Sequence, residues 1–149
     1  MTLEEIMSNV IDQDRGRRLE IHDPFEGKPT GIVLWIAGPD SPTQRRARIE
    51  MMDELAERAE SDGTIKAEHR EAARLSCLAK CVLRWEVQHE GTDLAFNHRN
   101  VLRVLRAAEW LQAQVDAFAG DRRNFNPALE EPDVSYRATA VASSVGYAR

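Results

Sequence analysis

Hydrophobic residues near the start of this chain follow the two-residue period of β-strands. Residues 17–22 alternate, with Leu19 and Ile21 on one side, and residues 32–37 form a short apolar run rich in β-branched side chains. The segment between them contains proline and glycine residues, which favour turns. The pattern predicts a β-hairpin with a long loop.

A first helix is predicted directly after this hairpin. Ser41 is a typical N-cap, Pro42 suits the first helical position and Gln44 the third. Apolar residues then recur at helical spacing as far as the turn at residues 61–63, namely Ile49, Met52, Ala56 and Ala59. We expect this apolar side to face the core and the charged side of the helix to face water.

A second helix is predicted from residue 65 to about residue 87, and its apolar stripe makes it the expected core helix. The stripe consists of Leu75, Leu78, Val82 and Trp85, widened by Ala72, Ala79 and Leu83. Cys77 and Cys81 fall on the opposite arc, among basic residues. We therefore expect another element to cover part of that arc.

The C-terminal half predicts a turn at residues 89–93 and a helix capped by Asn97. A further helical stretch, with Leu111, Val115 and Phe118 on one side, ends at Gly120, which suits a left-handed C-terminal cap. Whether these two stretches form one helix or two stays open.

The two ends of the chain have weaker patterns. Residues 1–16 predict an arm or a weak helix, and residues 126–149, with prolines and many small side chains, predict a flexible tail. Residues 17–125 form the expected domain. The predicted fold is mainly α with a small N-terminal β-hairpin, in the α+β class.

Composition and charge narrow the function. The chain has 149 residues, 42% of them hydrophobic and 30% charged, with a formal net charge of -5. Because no basic stripe runs along it, we expect no nucleic-acid partner. The N-terminal residues include acids where a signal peptide needs basic residues, and no apolar stretch approaches the length of a membrane span. We expect a cytoplasmic protein without a membrane partner.

Few residues suggest catalysis or metal binding. Cysteine and histidine are the usual zinc ligands, and the candidates here are Cys77, Cys81, His89 and His98. Their spacing is unlike that of structural zinc sites, so the two cysteines are interpreted as ordinary helix residues rather than as metal ligands. A cysteine nucleophile inside a helix is hard to present to a substrate. No glycine-rich loop with the Lys-Ser/Thr of a P-loop occurs. We therefore predict no enzyme activity, no catalytic or metal-binding residue and no cofactor.

Two stretches resemble one protein family. The first is IVLWIAGPDSPTQRRA at 32–47. The second, residues 85–125, has a Trp, a turn with Gly, a Leu-x-Phe, a capped Asn-Val-x-x-x-Leu helix, a second Trp, a Gln-Val helix and a closing Asp-Arg-x-Asn-Phe. Together they resemble the tail assembly chaperones of long-tailed bacteriophages and prophages, similar to the lambda tail chaperone type. The family often has Ser or Thr at the position of Asn97 and Pro at that of Glu109.

This resemblance implies a non-catalytic role in building the tail of a siphovirus or prophage. Such chaperones coat the tape measure protein, keep it soluble and give way as tail tube subunits polymerise around it. The implied location is the bacterial host cytoplasm rather than the mature virion. The implied partners are the tape measure protein and the tail tube protein, with self-association of the chain as a further expectation. The alternative is a structural head–tail connector or tail-completion protein of the virion, and a third hypothesis is an unrelated enzyme or regulator.

Aromatic and closing-motif residues are the candidate contact sites, because aromatic anchors dominate protein interfaces as well as cores. Core burial is favoured over an interface role for Trp35 and Trp85, and Phe96 is placed with them as core or interface. The protein-interaction candidates are Trp110, Phe118, Arg122, Asn124 and Phe125.

Overall fold

The computed structural model describes residues 1–129, so most of the predicted tail, residues 130–149, lies outside the described part. The elements are α1 (Leu3–Gln13), β1 (Arg17–His22), β2 (Pro29–Ile36), α2 (Pro42–Glu57), α3 (Ala67–Lys80), β3 (Val82–Glu86), β4 (Gln88–His89), β5 (Thr92–Asp93), α4 (His98–Leu105) and α5 (Glu109–Ala119), followed by a 3-10 helix (Arg122–Phe125). The predicted α+β class is confirmed.

The sheet has one strand more than the predicted hairpin. β1, β2 and β3 form an antiparallel sheet in that order, with β2 in the centre. The prediction of one helix from residue 65 to 87 is therefore wrong in its last third, because residues 82–86 are a strand. Val82 pairs with Ile36, and Ala37 N donates to Cys81 O at 2.9 Å, so the chain continues the sheet directly after α3.

One face of this sheet, the inner face, carries Leu19, Ile21, Leu34 and Ile36. These side chains are at most 5% exposed. They form one core cluster with buried residues from α3, β3, α4, α5 and the 3-10 helix, among them Leu75, Leu78, Val82, Val101, Leu105, Leu111, Val115 and Phe125. The core therefore lies between the sheet and three helices.

α2 begins as predicted but turns a different side inward. Ser41 Oγ accepts a hydrogen bond from Gln44 N at 3.1 Å, which confirms the N-cap. Ile49 and Met52 are 43% and 58% exposed, so the predicted core side is wrong. The buried positions are Gln44 and Ala47. Gln44 is compatible with burial because its Nε2 donates to Ala37 O at 2.7 Å and to Ala119 O at 2.9 Å.

The C-terminal half contains two helices. Asn97 caps α4 as predicted, since its Oδ1 accepts a hydrogen bond from Asn100 N at 2.9 Å. The helical conformation is interrupted between Arg106 and Ala108, and α5 begins at Glu109. Gly120 has φ -93°, so the expected left-handed cap is wrong. Asp121 instead caps the following 3-10 helix by accepting from Arg123 N.

Candidate protein-interaction surface

α1 is a regular 11-residue helix where the sequence predicted an arm or a weak helix. Thr2 and Glu5 form a reciprocal capping box: Glu5 N donates to Thr2 Oγ1 at 3.1 Å and Thr2 N to Glu5 Oε2 at 2.7 Å. This T-x-x-E signature fixes the start of a helix and was readable from the sequence.

The inward side of α1 is polar. Gln13 is 1% exposed; its Nε2 donates to Asn9 Oδ1 at 2.9 Å and its Oε1 accepts from Asp40 N at 2.8 Å. Asn9 Nδ2 donates to the carbonyl oxygen of Phe125 at 3.0 Å. Hydrogen bonds between polar groups therefore hold α1 against the turn before α2 and against the 3-10 helix.

The outward side of α1 is apolar. Leu3, Ile6, Met7 and Ile11 are 67%, 46%, 58% and 66% exposed. Positions 3, 7 and 11 are spaced four residues apart and position 6 lies three residues after position 3, so the four share one side of the helix. We call these four residues the α1 surface. An apolar row of this kind facing solvent is unusual and indicates an interaction site.

Three residues of the closing motif, predicted as partner contacts, make contacts within the chain. Arg122 forms two hydrogen bonds with Asp40, each 2.8 Å. Asn124 Nδ2 donates to the carbonyl oxygen of Phe118 at 3.1 Å. Phe125 is 1% exposed, so its assignment as an interaction residue is corrected: it is a core residue. The motif attaches the 3-10 helix to α5 and to the turn before α2.

The remaining two interaction candidates lie at the edge of the core. Trp110 and Phe118 are half-buried and pack against the core cluster. The Phe118 ring meets the ring of Phe125 edge-on, with centroids 5.6 Å apart. Phe118 also lines a surface cleft with Asp121 and Asn124. Its exposed part is therefore available at the surface.

The three residues predicted as core or interface lie in different parts of the sheet region: Trp35 on the central strand β2, Trp85 on the edge strand β3 and Phe96 in the loop before α4. Trp85 is half-buried; its Nε1 donates to Leu94 O at 3.0 Å and its ring meets that of Phe96 edge-on at 5.4 Å. Phe96 is 44% exposed. Trp35 lies on the opposite face of the sheet, where the Arg84 guanidinium stacks 5.2 Å from its ring centre.

The cysteines and histidines that the sequence offers as zinc-ligand types have different neighbours in the structure. Burial raises the pKa of the Cys81 thiol to about 12, and burial also raises the pKa of Cys77. His98 Nε2 lies 3.2 Å from Ser76 Oγ, and burial lowers the pKa of His98, with Lys80 and Arg106 adding to the effect. Within residues 1–129, His, Cys, Asp and Glu side chains do not gather in groups of three or more suited to a metal ion.

In the part of the chain that the structure describes, none of the helices combines the length and the apolar character needed to cross a bilayer. Comparisons of the sequence and the structure with models of protein families, with curated proteins and with solved structures gave no match.

Proposed function

We propose that this chain is a tail assembly chaperone of a long-tailed phage or prophage. In this role it binds the tape measure protein, keeps it soluble and helps to recruit tail tube subunits. The observation that carries the proposal is the α1 surface, an apolar row turned to solvent on a helix whose polar side is anchored to the domain. The resemblance of residues 32–47 and 85–125 to the chaperone family supplies the partner.

The chemistry of the α1 surface suits a helical partner. Leu3, Met7 and Ile11 repeat at the spacing with which one amphipathic helix packs on another. Glu4 and Glu5 lie at the N-terminal end of this row and Arg15 follows its C-terminal end, so charges border the apolar contact. A tape measure protein, a long helical chain with apolar stripes, offers the complementary row.

The size of the surface favours weak and repeated binding. Complete burial of one large apolar side chain contributes about 1.5–3 kcal/mol, and association itself costs several kcal/mol. Four such side chains therefore support a weak single contact. Many copies along one filament gain by multivalency, yet each copy remains easy to displace when tube subunits arrive.

The net charge of -5 favours a protein partner over nucleic acid. The proposed role places the chain in the cytoplasm of the bacterial host during assembly and leaves it out of the mature particle. It requires neither a cofactor nor a catalytic residue.

Co-expression with the tape measure protein encoded in the same tail gene cluster tests the proposal. We expect the wild-type chain to move the tape measure protein from the pellet to the soluble fraction and to co-purify with it. The variant Leu3→Ser/Met7→Ser should fold normally, because both side chains face solvent, but should leave the tape measure protein largely in the pellet.

A matched control removes two exposed apolar side chains elsewhere. Phe25 and Met52 are 88% and 58% exposed, so Phe25→Ser/Met52→Ser loses comparable surface and should retain the solubilising effect. A tape measure protein that stays insoluble with the wild-type chain would refute the chaperone function. Equal activity of both double variants would instead reject the α1 surface as the binding site.

A further inference from the structure

α2 exposes the side that the sequence predicts to be buried. Ile49 and Met52 are 43% and 58% exposed, and Ala56 is exposed as well. These residues follow one another at intervals of three and four positions, so they form one row along the helix, which we call the α2 row. An amphipathic helix normally buries such a row, so its exposure in the single chain indicates a contact with another molecule.

Charged side chains of opposite sign border the α2 row along one flank of the helix. Arg46 lies towards the N-terminal end, and Asp53 and Glu57 lie towards the C-terminal end; all three are exposed. Positions 46, 53 and 57 are separated by seven and four residues, which places them on the same flank. Within residues 1–129 none of the three forms an ion pair, whereas Glu50, deeper on this flank, pairs with Lys80 at 3.0 Å.

A two-fold axis across the middle of α2 brings these opposite charges together. With the axis between positions 50 and 51, Ile49 of each copy lies opposite Met52 of the other, so the apolar rows meet. Arg46 then lies opposite position 55 of the second copy, between Asp53 and Glu57, each about 3 Å away along the helix axis. Two-fold symmetry keeps the same flank of both helices on one side, so these charges face one another across the contact.

The opposite orientation is unfavourable. In a parallel pair, Arg46 would lie beside Arg46 of the second copy and Asp53 beside Asp53, so like charges would meet along the whole flank. We propose that two copies of this chain associate through α2 as an antiparallel pair. The α2 rows form the centre of the contact, and Arg46 of each copy binds between Asp53 and Glu57 of the other.

The contact is small, so the association should be weak and reversible. One helix packed on one helix buries less than the total of about 1,200 Å² at which stable specific interfaces begin. Exposed ion pairs contribute little affinity, and their main effect here is to select the antiparallel orientation. We therefore expect a monomer at low micromolar concentration and a growing dimer fraction at high micromolar concentration.

Sedimentation equilibrium of the full chain with exchanged charges tests this proposal. Arg46→Glu places an acid beside Asp53 and Glu57 of the second copy, and Asp53→Lys/Glu57→Lys places two lysines beside Arg46. Each variant alone should have a dissociation constant several-fold higher than that of the wild type. An equimolar mixture of the two should recover the wild-type value, because the new acid at position 46 then faces the new lysines.

A matched control makes the same change of charge elsewhere. Arg99 is exposed on α4, so Arg99→Glu should dimerise like the wild type, and urea midpoints check that every variant is folded. A wild type that stays monomeric at high micromolar concentration would overturn the proposal. So would undiminished association of either charge-reversed variant, a mixture that does not recover, or equal weakening by Arg99→Glu.

A contact through the α1 surface gives a different result. In that case Leu3→Ser/Met7→Ser would lose the dimer while Arg46→Glu retained it, and the proposed α2 contact would be rejected. The assay contains this chain alone, so its outcome is independent of the tape measure proposal.

Discussion

Arg122 holds Asp40 by two parallel hydrogen bonds, from Nε to Oδ2 and from Nη2 to Oδ1, each 2.8 Å long. Asp40 lies in the turn before α2, and Arg122 lies in the 3-10 helix that follows α5, 82 residues later. Gln13 of α1 also donates to Asp40 Oδ2, at 3.3 Å. The carboxylate therefore joins three parts of the fold that are distant in sequence.

Asp40→Asn should change how stability depends on pH. The hydrogen bond from Arg122 lowers the pKa of Asp40 below its ordinary value of 3.8, and Gln13 adds to the effect. A lowered pKa in the folded state stabilises the protein above 3.8, and this contribution is lost as the pH falls through the folded-state value. Wild type should therefore be more stable than Asp40→Asn at pH 7, and the difference should shrink below pH 3.8.

Urea unfolding at a series of pH values measures this difference. Because the pair is partly exposed, the shift in urea midpoint should be small at neutral pH and smaller still in high salt. A difference that is constant from pH 7 to below the folded-state pKa would contradict the assigned role of the Asp40 charge.

Gly38→Ala should destabilise the protein through a clash with Gln13. Gly38 lacks a positive φ, but an added Cβ would overlap the Gln13 side chain, which is buried and makes three hydrogen bonds. Overpacking of this kind costs about 1–3 kcal/mol. The free energy of unfolding, measured in urea, should fall by that amount.

Two further variants identify the clash as the cause. Gln13→Ala is itself destabilising because it removes buried hydrogen bonds. In Gln13→Ala/Gly38→Ala, however, the smaller side chain at position 13 leaves room for the new methyl group. The double variant should therefore lose less free energy of unfolding than the two single variants lose together. Gly120 also has negative φ, and its added Cβ would be 3.5 Å from the nearest atom, Asp116 O, so Gly120→Ala should be nearly neutral. Additive losses would rule out the steric explanation.

The cysteines should be slow to react in the folded protein. Thiolate is the reactive form, and burial raises the pKa of Cys81 to about 12 and also raises that of half-buried Cys77. At pH 8, a disulfide reagent should therefore modify Cys77 slowly and Cys81 only when the protein unfolds. Cys77→Ser isolates Cys81, and rapid labelling of this variant without denaturant would contradict the prediction.

The sequence predicted elements best where local chemistry determines them. Ser41 and Asn97 are caps whose side chains bond their own helix, so the sequence alone was enough to place both helix starts. The end of α3 was mispredicted because Leu75, Leu78, Val82 and Trp85 satisfy helical spacing, while residues 82–86 also suit a strand. Pairing with β2 decides between the two, and that contact is not local.

The α1 surface was missed because residues 1–16 were predicted only as an arm or a weak helix, and the orientation of α2 was mispredicted because its apolar side was expected to face the core. Gln44 is buried because its amide meets two backbone carbonyl groups, and Gln13 is buried because it bonds Asn9 and Asp40. Apolar residues on both helices consequently face solvent, Met52 on α2 and the α1 surface on α1. Only the tertiary partners of the two glutamines reveal this reversal, so a single helix pattern could not predict it.

Phe125→Ala distinguishes a structural role of the closing motif from a partner-binding role. Phe125 is 1% exposed, packs edge-on against Phe118, and offers its carbonyl oxygen to Asn9 of α1. Removing a buried phenylalanine side chain costs about 3–5 kcal/mol, so the urea midpoint should fall strongly. Arg123 belongs to the same 3-10 helix, but its side chain is 89% exposed, and Arg123→Ala should leave the midpoint nearly unchanged. A stable Phe125→Ala protein that fails to solubilise the tape measure protein would instead indicate that Phe125 contacts the partner directly.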